Sequence, residues 1–379
     1  MSGFSYRMSE RLAKFIRSTK DNILFPKRVA NISKMISKPS YYPELERKSE
    51  KEMWKDNFKW LCKHKELNKY YISSGQDIKG LHNADDFLGL HEFIVKRNAG
   101  NQAEIHTISG HYNYIALLRD KYAFANYLMS VMGKESVVPV KALVTDGRAF
   151  ICGENRWTEI SELLADGSSL VYKLVDGECA DGVMLVETKN GKVSADDKIY
   201  TKEEFVRKIK KATYIVQNVV VQHDALKAFK TKSVNTIRIV TVKGKSGKIG
   251  VFSAFLRLSA SADSFVDNRA RGGLGIGIEL DTGKLMKYGL PHDNFGSKLE
   301  VHPLSGITFE GYQLPYWNEV VELVVNAHKQ FYKLQSIGWD VIITENGPTL
   351  LEGNDDWEIG GPQDTFGGMR KKWNELVNG

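Results

Sequence analysis

The segment from Gly338 to Asn354 constrains this chain most. Gly338-Trp339-Asp340-Val341-Ile342-Ile343 runs into Glu345-Asn346-Gly347-Pro348 and returns through Thr349-Leu350-Leu351-Glu352-Gly353-Asn354. The pattern reads as a strand, a tight turn and a second strand. Side chains alternate along a strand, so Glu352 and Asn354 share one face, and pairing sets Asp340 beside Glu352. Charges inside otherwise apolar strands are costly unless something compensates them. Two carboxylates and an amide oxygen on one spot suit Mg²⁺, which keeps open positions for water and phosphate. The alternative is a polar hairpin face with a solvated acid pair.

The rest of the chain divides by its hydrophobic period. Strand patterns fall at Val137 to Val144, Ala149 to Cys152, Leu170 to Val175, Val183 to Val186, Tyr214 to Val221, Thr236 to Val242, Ile249 to Leu258 and Trp339 to Ile343. Asp146-Gly147 reads as a hairpin turn between the first two. Helical patterns fall at Glu159 to Ala165, Glu203 to Lys211 and Trp317 to Leu334. This mixture predicts an α+β or α/β enzyme. The first 118 residues are expected to be mainly helical, with Phe4 to Ile16 and Glu44 to Tyr71 as helices and Pro39, Ser40 and Pro43 interrupting them. A basic helical region over 1–118 and a mixed domain over 119–379 follow.

The net charge of +7 lies entirely in residues 1–38, and the remainder is neutral. A neutral body argues against a nucleic-acid enzyme. Phe4, Met8, Leu12 and Phe15 recur at helical spacing with Arg7, Arg11, Lys14 and Arg17 between them. That pattern fits a peripheral contact with anionic membrane through residues 1–38, or equally a packed helix with solvated cations. Cys62, Cys152 and Cys179 form neither a disulfide framework nor a zinc pattern, so a reducing, cytoplasmic compartment is expected. No apolar run is long enough to cross a bilayer and no signal peptide is read, so any membrane contact would be peripheral to the inner face. The glycine run from Arg271 to Gly277 does not fit the dinucleotide fingerprint, and Gly244-Lys245-Ser246 lacks the leading glycine of a P-loop.

Taken in order, the motifs resemble a known family. The Asp340…Glu352-x-Asn354 hairpin is similar to the metal-binding end of the ATP-grasp enzymes. Upstream, Ser233-Val234-Asn235-Thr236-Ile237-Arg238, then Arg257, Asp267-Asn268 and Gly272-Gly273 resemble the matching block of glutamate ligases. The nearest resemblance is to sugar-transfer-associated ATP-grasp proteins of cell-surface polysaccharide gene clusters, over roughly residues 119 to 360.

The resemblance implies an ATP-grasp fold, two α+β subdomains gripping ATP, behind the helical N-terminal region. It implies that Lys121 and Lys173 contact the nucleotide phosphates and that Gly177 and Gly182 let the loop between them close. It also implies that Gln217 and the backbone near Val219 read adenine and that Asp224 meets the ribose. For Asp224 the residues alone also fit the N-cap of a helix beginning at Ala225. Asp340, Glu352 and Asn354 would hold Mg²⁺. Arg257, Arg238 and Asn268 would hold the reacting acid, and Arg238, in an alternating strand, could equally be a salt-bridged surface residue. The 176–182 loop departs from the family in carrying two aspartates and fewer glycines. The implied activity is an ATP- and Mg²⁺-dependent carboxylate–amine ligase acting through an acyl-phosphate in cell-surface polysaccharide biosynthesis, on a small-molecule acid and an amine or sugar. A phosphotransferase on the same fold and a non-catalytic ATP-binding scaffold are the alternatives.

Overall fold

The structure is a computed structural model that describes residues 23–101, 104–108, 110–178, 181–260, 272–291 and 298–379. The segment Phe4 to Ile16 and the candidate Asn268 lie outside the described residues. The chain divides into two compact units, Met1–Lys96 with Glu358–Lys372, and Arg97–Trp357 with Trp373–Gly379.

The first unit is helical. It contains α1 (23–36), α2 (Glu50–His64) and most of α3 (Leu90–Gly100). Ser49 starts α2 with a reciprocal cap, its Oγ accepting from the Glu52 amide while the Glu52 carboxylate accepts from the Ser49 amide. Met53, Trp60 and Leu61 on α2 are buried. Between α2 and α3 the chain makes turns, and several of their polar groups pair within the unit. Arg47 meets Asp77 at 2.9 Å, Asn68 Nδ2 donates to Gln76 Oε1 at 3.0 Å, and Ser73 Oγ donates to Asp364 Oδ1 at 2.6 Å.

The second unit is built on sheets. A two-stranded hairpin, β1 (Glu104–Thr107) and β2 (Gly110–Asn113), leads into α4 (Ala116–Arg119) and α5 (Lys121–Met132). An eight-stranded antiparallel sheet then forms from β3 (Ala142–Thr145), β4 (Arg148–Ile151), β5 (Arg156–Glu159), β6 (Ser169–Leu174), β7 (Met184–Lys189), β8 (Lys192–Ala195), β9 (Lys198–Thr201) and, after α6 (Lys202–Ile209), β10 (Tyr214–Asn218). Its order is β5-β4-β3-β10-β6-β7-β8-β9. After α7 (Asp224–Lys227) come β11 (Thr236–Lys243), β12 (Ile249–Ser259), β13 (Gly273–Ile278), β14 (Leu285–Pro291), α8 (Trp317–Lys329), β15 (Ser336–Thr344) and β16 (Gly347–Asn354). These six strands form a second antiparallel sheet, ordered β14-β13-β12-β11-β15-β16. One core packs α6, through Phe205 and Ile209, on Val144, Tyr172 and Val216 of the first sheet. The other packs α5 and α8, through Phe124, Leu128, Val320 and Val324, on Ile237, Ile239, Trp339 and Val341 of the second.

The Asp146-Gly147 turn forms as expected, with φ of 50° and 75° at its two central residues, the left-handed pair that a two-residue hairpin needs. Other expectations are corrected. Glu159 ends strand β5, and Ile160–Leu164 is a single 3₁₀ segment rather than a helix. Ile160, Leu163 and Leu164 have helical spacing, but too few residues follow before Asp166-Gly167 to propagate a helix. The helix begun at Trp317 stops at Lys329, although buried Phe331 and Leu334 continue its apolar period through a turn. The strand from Tyr214 ends at Asn218, short of Val221. Val137 and Val138 lie before β3 and bond instead to Leu350 of the second sheet. The run Gly273 to Ile278, which the sequence patterns above leave unassigned, is a fully buried strand.

A pH-sensitive element sits in the second core. His328 Nε2 donates to Leu334 O at 3.0 Å, and its Nδ1 lies 2.7 Å from Thr241 Oγ1. Burial pushes the imidazole down to about 4. The folded value lies below the unfolded one, so the unfolded chain binds the extra proton and stability falls as pH drops from about 6.5 towards 4. The expected loss is roughly 3 kcal/mol. Urea denaturation across that range should show a smaller loss in His328→Gln, and equal slopes in the two proteins would contradict this assignment.

Candidate active site

One face of the six-stranded sheet gathers the charged residues. Directly opposed residues of antiparallel strands project to the same side. Arg257 faces Thr236 on one neighbour and Gly275 on the other. Arg238 faces Asp340, Asp340 faces Glu352, and Gly338 faces Asn354. The intervening Ile237, Ile239, Leu256 and Trp339 belong to the core on the opposite side. The apolar alternation of these strands therefore sorts the ionic groups onto one surface.

Asp340 is the centre of this row, with its side chain only 1% exposed. Arg238 Nε donates to Oδ1 at 2.5 Å and its Nη2 donates to Oδ2 at 3.1 Å. Arg257 Nη2 reaches the same Oδ2 at 2.8 Å. Thr236 Oγ1 accepts from Arg257 Nε and Nη2 at 2.9 and 2.8 Å, which fixes the plane of that guanidinium. Burial alone would raise the Asp340 carboxyl, but the two guanidiniums outweigh it and hold the group well below the usual carboxylate range. Glu352 behaves oppositely. Burial raises it, and the neighbouring Asp340 charge raises it further.

The cations come from elsewhere in the unit. On β10, Ile215 packs with the core of the second sheet while Tyr214 and Val216 pack with that of the first. Lys173 of β6 is opposite Ile215, so it projects on the side of Ile215, as does Gln217 two residues on. Lys173 keeps partial exposure yet is surrounded by protein, as a group lining a cleft is. Burial pushes it down to about 8, with Glu352 opposing the shift and Lys121 adding to it. Lys121 is the first residue of α5, which Asp120 caps by accepting from the amides of Tyr122 and Ala123 at 2.9 Å. Its Nζ donates to the carbonyl of Gly177.

The structure thus brings Lys121, Lys173, Asp340, Glu352, Arg238 and Arg257 together, with Asn354 next in the row and donating to Gly338 O at 3.4 Å. Gly182 has a φ of 66°, and a Cβ on Gly177 would lie 2.7 Å from the Asp181 carbonyl, so both loop glycines are required sterically. Gln217 Nε2 donates to Val138 O at 2.9 Å, which leaves its carbonyl oxygen for a further donor. Val219 stands just past the end of β10 and is 40% exposed.

Asp224 does not cap α7. His223 does, its Nδ1 accepting from Ala225 N at 3.1 Å, and Asp224 is the first helical residue. The Asp224 carboxylate is 82% exposed and pairs with Lys227 at 2.5 Å. Sequence reasoning missed Thr236 and Gly275. Thr236 stands two residues before Arg238 on the same face. The alternation of Gly273, Gly275 and Gly277 with Leu274, Ile276 and Ile278 was the signal for a strand with one bare face.

A family model described as sugar-transfer associated ATP-grasp matches residues 111–370, more than half of the chain. Comparison with curated proteins finds no match. Among solved structures, the D-alanine–D-alanine ligase from Bacillus anthracis is similar at 12% identity over 82% of this chain and 79% of that one, with a TM-score of 0.38. The ADP complex of purK, an N5-carboxyaminoimidazole ribonucleotide synthetase, is similar at 11% identity over 64% of this chain and 45% of that one, with a TM-score of 0.35. The L-amino acid ligase from Bacillus licheniformis is similar at 12% identity over 64% and 41%, with a TM-score of 0.33. The chain spans less than half the length of the last two. The family match takes in every described site residue from Lys121 to Asn354, and on it the chain belongs to the sugar-transfer-associated ATP-grasp family.

Proposed function

We propose that this chain is an ATP- and Mg²⁺-dependent carboxylate–amine ligase that works through an acyl-phosphate in cell-surface polysaccharide biosynthesis. The observation that carries the proposal is the set of opposed charges in one unit. Lys121 and Lys173 lie near a buried acid pair in which two arginines hold Asp340 well below the usual carboxylate range while Glu352 stays raised.

The acid pair also tests whether the residues fit a metal ion. Among the described residues no group of three or more His, Cys, Asp or Glu could hold one. The Asp340 and Glu352 carboxylates face each other, and the Glu352 acid is raised by burial and by Asp340 against smaller opposing pulls from Lys121 and Arg238. Such a pair, completed by the Asn354 amide oxygen, fits a hard divalent cation. Mg²⁺ bound there would neutralise phosphate oxygens.

The chain's own residues supply the rest. Lys121 and Lys173 bind the phosphates, and the depressed Lys173 keeps its charge best when an anion is present. The Gln217 carbonyl oxygen and the backbone at Val219 receive the adenine edge, and the exposed Asp224 remains a ribose contact. Arg257, held by Thr236, presents a fixed guanidinium to the carboxylate being activated. Arg238 is committed to Asp340 by two bonds, so its role is to hold that carboxylate in place. The acid and the amine or sugar are small molecules. The basic stretch 1–38 would bring a cytoplasmic enzyme to an anionic inner membrane surface. Among the described residues no helix is long and apolar enough to cross a membrane.

Hydroxylamine trapping tests the chemistry. With ATP, Mg²⁺ and a panel of amino acids and uronic acids, an acyl-phosphate gives a hydroxamate together with ADP and phosphate. A phosphorylated acceptor without hydroxamate would move the assignment to a phosphotransferase. Turnover at background with every acid would move it to a non-catalytic nucleotide-binding protein.

A further inference from the structure

The function proposed above uses two lysines for the polyphosphate, and a third cation stands beside them. Arg119 ends α4, two residues before Lys121. Its Nε and Nη2 donate to Asp355 Oδ1 and Oδ2 at 2.8 and 3.0 Å. Asp355 directly follows Asn354, its side chain is 8% exposed, and its backbone carbonyl accepts from Asn101 Nδ2 at 3.3 Å. A two-pronged bond to a buried carboxylate fixes both the plane and the direction of the guanidinium. Nη2 also lies 3.9 Å from Asp356 Oδ2, and the remaining Nη1 points to Glu178 at 3.5 Å. That contact is long, and both its partners are substantially exposed. The adjacent Gly177 carbonyl occupies Lys121. Gly177 and Glu178 therefore each offer an oxygen to a neighbouring cation, Glu178 only at long range.

We propose that Arg119 is a third phosphate-binding cation, aimed by Asp355 and screened by Glu178 until a nucleotide displaces that side chain. The proposal rests on the reading of this site as an ATP site. It accounts for an acidic side chain in a loop that faces phosphate. Glu178 supplies a weak, exchangeable partner for a cation that would otherwise present its free edge to water. An incoming polyphosphate offers the same edge a doubly charged acceptor with better geometry. The contribution should grow with phosphate number and be nearly absent for a ligand with one phosphate.

Calorimetry of ATP and AMP with Mg²⁺ on the full chain tests this with three proteins. Arg119→Gln should weaken ATP roughly tenfold while changing AMP little. Glu178→Gln, at an exposed position that leaves the fold alone, should tighten ATP about twofold. Equal losses of ATP and AMP in Arg119→Gln would assign Arg119 to holding the structure and overturn the proposal. ATP binding unchanged or weakened in Glu178→Gln would overturn it too, and this variant decides the matter if Arg119→Gln fails to fold with Asp355 left unpaired. Failure of the wild-type protein to bind ATP would instead overturn the ATP reading itself.

Discussion

Asp340→Asn should lower the unfolding free energy of the metal-free protein at neutral pH by roughly 3 kcal/mol. The substitution keeps the shape of the side chain and removes the charge that Arg238 and Arg257 share. Both guanidiniums are largely buried, at 19% and 14% exposure, so the unpaired charge is only partly recovered by water. The pH dependence identifies the cause. The folded Asp340 carboxyl lies below its unfolded value, so its contribution is present above the ordinary carboxylate range and disappears as pH falls through the folded value. Urea denaturation should show the full gap between wild type and variant at pH 7 and a narrowing gap only in strong acid. A gap that closes between pH 7 and 5 would mean that the arginines are not held by this charge.

Much of the site was legible because strand alternation is a strong rule. Asp340, Glu352 and Asn354 meet through a hairpin turning at Glu345-Asn346, and a bulge between Asp340 and Val341 shifts the register so that Asp340 stands opposite Glu352. Lys173 needed only to follow an apolar strand. What sequence could not supply were interactions set by tertiary neighbours. Arg238 and Arg257 both spend bonds on Asp340, which depends on three strands being adjacent in the order β12-β11-β15. Glycine is depleted in strands generally, so the run from Gly273 gave no strand signal, although its aliphatic partners alternate into the core. The capping of α7 also went to the neighbouring residue, because an imidazole nitrogen can accept the same amide that a carboxylate would. In the first unit the period gave α2, within the span Glu44 to Tyr71, but neither α1 nor α3, nor the turns of residues 65–89, which pairs such as Ser73 with Asp364 hold.

Glu352→Gln should act in the opposite sense on stability and abolish the metal-dependent part of nucleotide binding. The folded Glu352 carboxyl is raised, by burial and by Asp340, so the ionised group opposes folding at neutral pH. Removing its charge should leave the metal-free protein as stable as wild type or more so. A carboxylate kept where it weakens the fold is the expected mark of a group retained for a ligand. The most direct measurement is calorimetry of ATP against wild type and Glu352→Gln, each with Mg²⁺ and with chelator. Wild type should bind ATP at least about tenfold more tightly with Mg²⁺, and the variant should lose that difference while remaining folded. Binding that ignores Mg²⁺ in both proteins, or a variant that keeps the wild-type Mg²⁺ dependence, would contradict the assignment of the Asp340–Glu352–Asn354 row as the metal end of an ATP site.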